Sequence, residues 1–123
     1  MPNYLAVASY TPEGLKALLK TGGTARRAAV EKMLESLDGH LKAFYFAFGE
    51  HDAYLIVELP NNLAAAAISL AVAAAGAVRT KTIVLLTPEE MDKVAECPAE
   101  YEPPKAGVTT ARRRPVRTRP KRR

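Results

Sequence analysis

The sequence predicts an α+β domain: a four-stranded antiparallel sheet with its helices gathered on one face. Three observations carry this expectation. Short apolar segments bounded by turn residues alternate with stretches of helical periodicity, in the order strand, helix, strand, strand, helix, strand. The two middle strands are joined by only three residues, so they pair as a hairpin. The chain has 123 residues and is 48% hydrophobic, enough to fill one core of this size.

Asn3 to Ser9 (NYLAVAS) is a short apolar run that ends at a turn signal, the pattern of a buried strand. Thr11-Pro12-Glu13 opens a helix: threonine caps free amides, proline suits the first position, and glutamate complements the positive end of the dipole. Leu15, Leu18 and Leu19 share one face until Gly22-Gly23 interrupts the helix. Thr24 is the expected cap of the next piece, where Val30, Met33, Leu34 and Leu37 keep the spacing of one helical face. Asp38-Gly39 closes it, with glycine expected in the left-handed cap conformation.

The hairpin is expected from strands 40–48 and 52–59 around Gly49-Glu50-His51. Phe44, Phe46 and Phe48 are assigned to one face of the first strand, and Leu41, Ala43 and Tyr45 to the other. In the second strand Leu55, Val57 and Leu59 face one way; Asp52, Tyr54, Ile56 and Glu58 face the other. Asn61 or Asn62 then caps an alanine-rich helix that ends at Gly76. Residues 78–87 (VRTKTIVLLT) form the fourth strand, and Thr87-Pro88-Glu89-Glu90 is a capping box for a short last helix reaching about residue 96.

This order is the split βαβ, or ferredoxin-like βαββαβ, arrangement. Right-handed crossovers place both connecting helices on one side of the sheet, so nothing in the chain covers the other side. That side is apolar as well. A second subunit is expected to cover it, making a homodimer or higher homo-oligomer in the manner of a dimeric α/β barrel.

The run KAFYFAFGEHDAYLIVELP, preceded by LDGHL and followed by the alanine-rich helix and VRTKTIVLLTPEE, resembles the GYD-domain family, small bacterial proteins with a ferredoxin-like dimeric α/β barrel. The resemblance covers about residues 3–95 and includes the opening YLAVASYTPEGLK. The motif glycine and aspartate fall on Gly49 and Asp52, while His51 stands where the family usually has tyrosine. It implies a fold and self-association, and no reaction.

Candidate chemistry is sparse. Asp52 and His51 at the hairpin mouth are the candidate catalytic pair, because a carboxylate beside an imidazole can serve as a general base. The simpler reading has Asp52 accepting turn amide bonds and His51 exposed to solvent. Tyr10, Tyr45, Asp52 and Tyr54 are the candidate ligand-binding residues, on the view that tyrosine hydroxyls orient a small molecule in a cleft between sheet and helices. The competing role for these rings is core or interface packing. Arg79 and Lys81 alternate on the fourth strand, where a cross-strand ion pair is the first expectation. His40 lies too far along the hairpin to share a metal with His51 within one subunit. With one cysteine, Cys97, no glycine-rich phosphate loop and no metal-ligand spacing, no cofactor and no metal are expected.

The formal charge of +5 is the sum of two unlike pieces. Residues 1–102 carry 9 Lys+Arg against 13 Asp+Glu, which is −4; residues 103–123 carry 9 Lys+Arg and no acid, which is +9. The expected division is a domain over residues 1–96 and a disordered, proline-rich basic tail over 97–123. Arg112, Arg113, Arg114, Arg117, Arg119, Lys121, Arg122 and Arg123 could neutralise phosphates, so nucleic-acid or polyanion association through the tail is the alternative function. No aromatic residue stands among them to stack on bases. Met1-Pro2-Asn3-Tyr4 has no signal-peptide pattern. The apolar run 63–78 is shorter than the about 20 residues of a spanning helix, so a buried helix, no membrane association and a cytoplasmic location are expected. The leading function is a homodimeric small-ligand-binding or assembly module.

Overall fold

The computed structural model describes residues 1–104. Strands β1 (Asn3–Tyr10), β2 (His40–Phe46), β3 (Ala53–Glu58) and β4 (Val78–Leu85) form one antiparallel sheet in the order β2-β3-β1-β4. Helices α1 (Pro12–Thr21) and α2 (Gly23–Glu35) connect β1 to β2, and α3 (Asn62–Ala75) connects β3 to β4. A fourth helix, α4 (Pro88–Ala95), follows β4. The α+β, ferredoxin-like expectation holds. Two compact units are present, Met1–Met91 and a second beginning at Asp92, where the last turn of α4 ends in bonds from Glu96 N to Lys93 O and Cys97 N to Val94 O.

The helix boundaries follow their capping chemistry. Thr11 Oγ1 accepts from Gly14 N at 3.2 Å, and Asn61 Oδ1 accepts from Ala64 N at 3.0 Å. The capping box forms as expected: Thr87 N donates to Glu90 Oε1 at 2.8 Å, and Glu90 N donates to Thr87 Oγ1 at 3.0 Å. Two expectations are corrected. Gly22, at φ 92°, ends α1 and also begins α2, so Thr24 lies inside the helix and is not its cap. At the end of α2 it is Asp38, at φ 59°, that takes the left-handed conformation. Gly39 is required for space instead: a Cβ there would lie 2.6 Å from Leu59 Cδ2 and 2.7 Å from Glu58 O.

The helix-covered sheet face carries the core. Tyr4 and Ala8 of β1, Ala53, Leu55 and Val57 of β3, and Val78 of β4 pack with Val30 and Leu34 of α2 and Ala65 of α3. Leu41 belongs to this face, which corrects its assignment with Ala43 and Tyr45. Leu41 pairs with Val57 while Ala43 pairs with Ile56, so Lys42 is an extra residue that reverses the alternation. Phe48, expected beside Phe44 and Phe46, lies beyond the end of β2 and is fully exposed. Beyond the Phe46–Ala53 pair one further bond, from Ala47 N to Asp52 O at 2.8 Å, joins the two arms before the turn.

The opposite face carries Leu5, Val7, Tyr45, Tyr54, Ile56 and Ile83, none of which belongs to the core packed by α2 and α3; Val7 is buried, whereas Tyr45, Tyr54, Ile56 and Ile83 are exposed. Helix α3 is buried on one side only: Ala65, Ile68 and Val72 pack inward, whereas Leu63 and Leu70 are exposed. The expectation of a buried helix is corrected to that extent. Among the described residues, no helix is long and apolar enough to cross a membrane.

Candidate functional site

Two places hold the residues singled out by sequence: the hairpin mouth and the cleft between the sheet and helices α2 and α3. At the mouth, Asp52 is bound on three sides. Its Oδ2 accepts from Tyr10 N at 2.8 Å, its own N donates to Ala8 O at 2.9 Å, and its carbonyl closes the turn with Ala47 N. The carboxylate therefore fastens the hairpin to the end of the central strand β1. His51 Nδ1 lies 3.1 Å from Ser9 Oγ, and Nε2 lies 3.8 Å from Glu50 Oε1. Its ring meets Tyr54 edge-on, with centroids 6.2 Å apart. His51 and Asp52 thus bind successive residues of β1, Ser9 and Tyr10.

The cleft is a different environment. A cavity of about 70 Å³ lies between the covered sheet face and the inner sides of α2 and α3. Its walls are mostly apolar, with Val30, Met33, Phe44, Leu55, Ile68 and Val72 among them, and Ser69, Thr80 and Thr82 supply hydroxyls. The Ser69 and Thr82 hydroxyls bond each other at 3.0 Å. Tyr10 and Arg26 also line the cavity. The Arg26 Nε is buried and has no hydrogen-bond partner.

The four tyrosine and aspartate candidates are therefore divided. Tyr10 stands in the cleft, Asp52 holds the backbone of that same residue, and Tyr45 and Tyr54 are cross-strand partners on the opposite face. Arg79 and Lys81 are exposed on that opposite face, and the ion pair recorded for Glu58 is with Lys42, at 3.9 Å, not with either of them. His40 pairs with Glu58 at the far end of the hairpin from His51. Among the described residues, no three His, Cys, Asp or Glu side chains cluster as a metal site. The tail residues Arg112, Arg113, Arg114, Arg117, Arg119, Lys121, Arg122 and Arg123 lie outside the described residues.

Arg26 was not among the residues selected from sequence, although the signal exists. It falls on the apolar stripe of α2, four residues before Val30 and seven before Met33. A cation on the core side of an amphipathic helix is the informative exception to the pattern.

The GYD domain family model matches residues 4–95. No curated protein and no solved structure matches the chain.

Proposed function

The chain belongs to the GYD domain family, and on that premise we propose that it is a homodimeric module that binds a small ligand in the cleft between the sheet and helices α2 and α3. The observation that carries this reading is the cavity itself. It is concave and mostly apolar, lined also by a few hydroxyl residues and by Arg26, which is the general composition of a small-molecule site. Self-association is supported by the uncovered sheet face, where Tyr45 is 72% exposed and Ile83 46% exposed. Burial against an identical face would remove this apolar surface from water around a two-fold axis.

The test is a fragment screen on the full chain, read by amide chemical shifts. Fragments are expected to bind with shifts clustered on Val30, Val72 and Thr80. A screen in which every hit maps to the open sheet face or to the tail overturns the cleft as the site.

A further inference from the structure

Arg26 is an unusual wall for an apolar cavity. Arg26 is half-buried, and its guanidinium remains charged at any pH at which the protein is folded, so the buried Nε–H cannot escape by losing its proton. A buried donor without an acceptor, and more so a charged one, costs free energy that the fold must offset elsewhere. Among the described residues, no aspartate or glutamate lines the cavity and Arg26 takes part in no ion pair. Its Nε–H is buried without an acceptor.

Position along the cleft adds direction. Arg26 is near the start of α2, just after Gly23, whose backbone rests against the Phe46 ring with a would-be Cβ 3.0 Å from Cε2. Phe46 pairs with Ala53, Ala53 with Ala8, and the neighbouring Tyr10 with Val78, so Arg26 and Tyr10 belong to the hairpin end of the sheet. The walls contributed by Met33, Leu34 and Leu59 lie toward the other end and are wholly apolar. Arg26 thus supplies the one charged group at the Tyr10 end of the cleft, with the Thr80 and Thr82 hydroxyls farther along β4 and the apolar Met33, Leu34 and Leu59 at the other end.

Resting on the cleft as the binding site, we propose that its occupant is a small apolar monoanion, most simply a carboxylate, whose charge is taken by Arg26 and whose hydrocarbon part lies along Val30, Met33, Leu55 and Ile68. The cavity of about 70 Å³ is roughly half the size of the engineered cavity that accepts benzene, so it suits a short chain or branched end in preference to a fused ring system. The guanidinium offers a fork of donors matched to a carboxylate, and the low-polarity walls strengthen that pairing.

The experiment uses two chain-matched probes, hexanoate and hexan-1-ol, with the full-length wild type and Arg26→Gln. Binding is measured by calorimetry and located by amide shifts at Val30, Val72 and Thr80. In the wild type, hexanoate is expected to bind in the cleft at least about tenfold more tightly than the alcohol, the range of a charge-assisted hydrogen bond. Arg26→Gln is expected to abolish that preference while leaving the alcohol's affinity unchanged. The unliganded variant should unfold at about the wild-type temperature, because the substitution breaks no ion pair and no hydrogen bond of Nε. Equal affinity of both probes for the wild-type cleft overturns the anion assignment and leaves the cleft reading intact. A preference that survives in Arg26→Gln overturns Arg26 as the anion's partner. Failure of both probes to perturb the cleft overturns this proposal and counts against the cleft reading itself.

Discussion

The two faces of the sheet are built from similar side chains and meet different fates. On the covered face Leu55 and Val57 of β3 are buried beneath α2 and α3. One residue away on the same strand, Tyr54 and Ile56 point to the other face and are each 37% exposed. Composition does not separate the faces, because both are apolar. The connections do: the crossovers that carry α2 and α3 place both helices on the same side. The difference shows how apolar patterning and chain topology divide the work. Patterning says that a surface needs cover; topology says whether this chain can provide it.

The largest effect that tests this contrast is in stability. Leu34→Ala removes a side chain that is 1% exposed and packed against the covered face, so it should cost about 3 kcal/mol in urea unfolding. Ile56→Ala on the open face should cost less than about 1 kcal/mol when measured at protein concentrations too low for self-association. Equal losses at the two positions would mean that the open face is structured by something within the chain.

The second effect is in assembly. If identical open faces pair, Ile56→Asp places a carboxylate in each half of an apolar interface. The dissociation constant should rise by a hundredfold or more. Light scattering should give twice 13.3 kDa for the wild type and 13.3 kDa for the variant at the same concentration. A wild type that stays monomeric would leave the apolar face uncovered in solution and overturn face-to-face pairing.

Much of this architecture is legible in the sequence because local signals and global order agree. The strand and helix order, the caps at Thr11 and Asn61, and the box at Thr87 and Glu90 each depend on residues close together in the chain. The misread features depend on distant partners. The extra residue Lys42 appears only when β2 is set against β3, and it moves Leu41 across the sheet. Gly39 looks like a left-handed cap until Leu59 and the Glu58 carbonyl approach it from the next strand. An alanine-rich helix reads as buried on all sides because its sequence has no polar stripe, yet only one side of α3 meets the sheet. The candidate site was legible in part for the same reason. Tyr10 could be placed at a strand end, but that it shares a cavity with Arg26 depends on how α2 lies over the sheet.

The smallest effect concerns Asp52, which stands where the two faces meet at the hairpin mouth. Its carboxylate accepts from the backbone N of Tyr10, the residue whose side chain lines the cleft, so it acts on the cleft through the main chain. Asp52→Ala leaves that N–H without its acceptor and should cost about 1.5 kcal/mol, with partial exposure keeping the loss at the lower end for a charged acceptor. Asp52→Asn keeps an oxygen in place and should lose about half as much. His51→Ala gives up one 3.1 Å bond with Ser9 and should cost less still. A general base would behave differently, since asparagine cannot take a proton and would lose function as completely as alanine. If Asp52→Asn retains fragment binding in the cleft while Asp52→Ala weakens it, the aspartate is a clamp on β1. If the two variants are equally impaired at unchanged stability, the carboxylate charge itself is required, and Asp52 must touch the ligand directly.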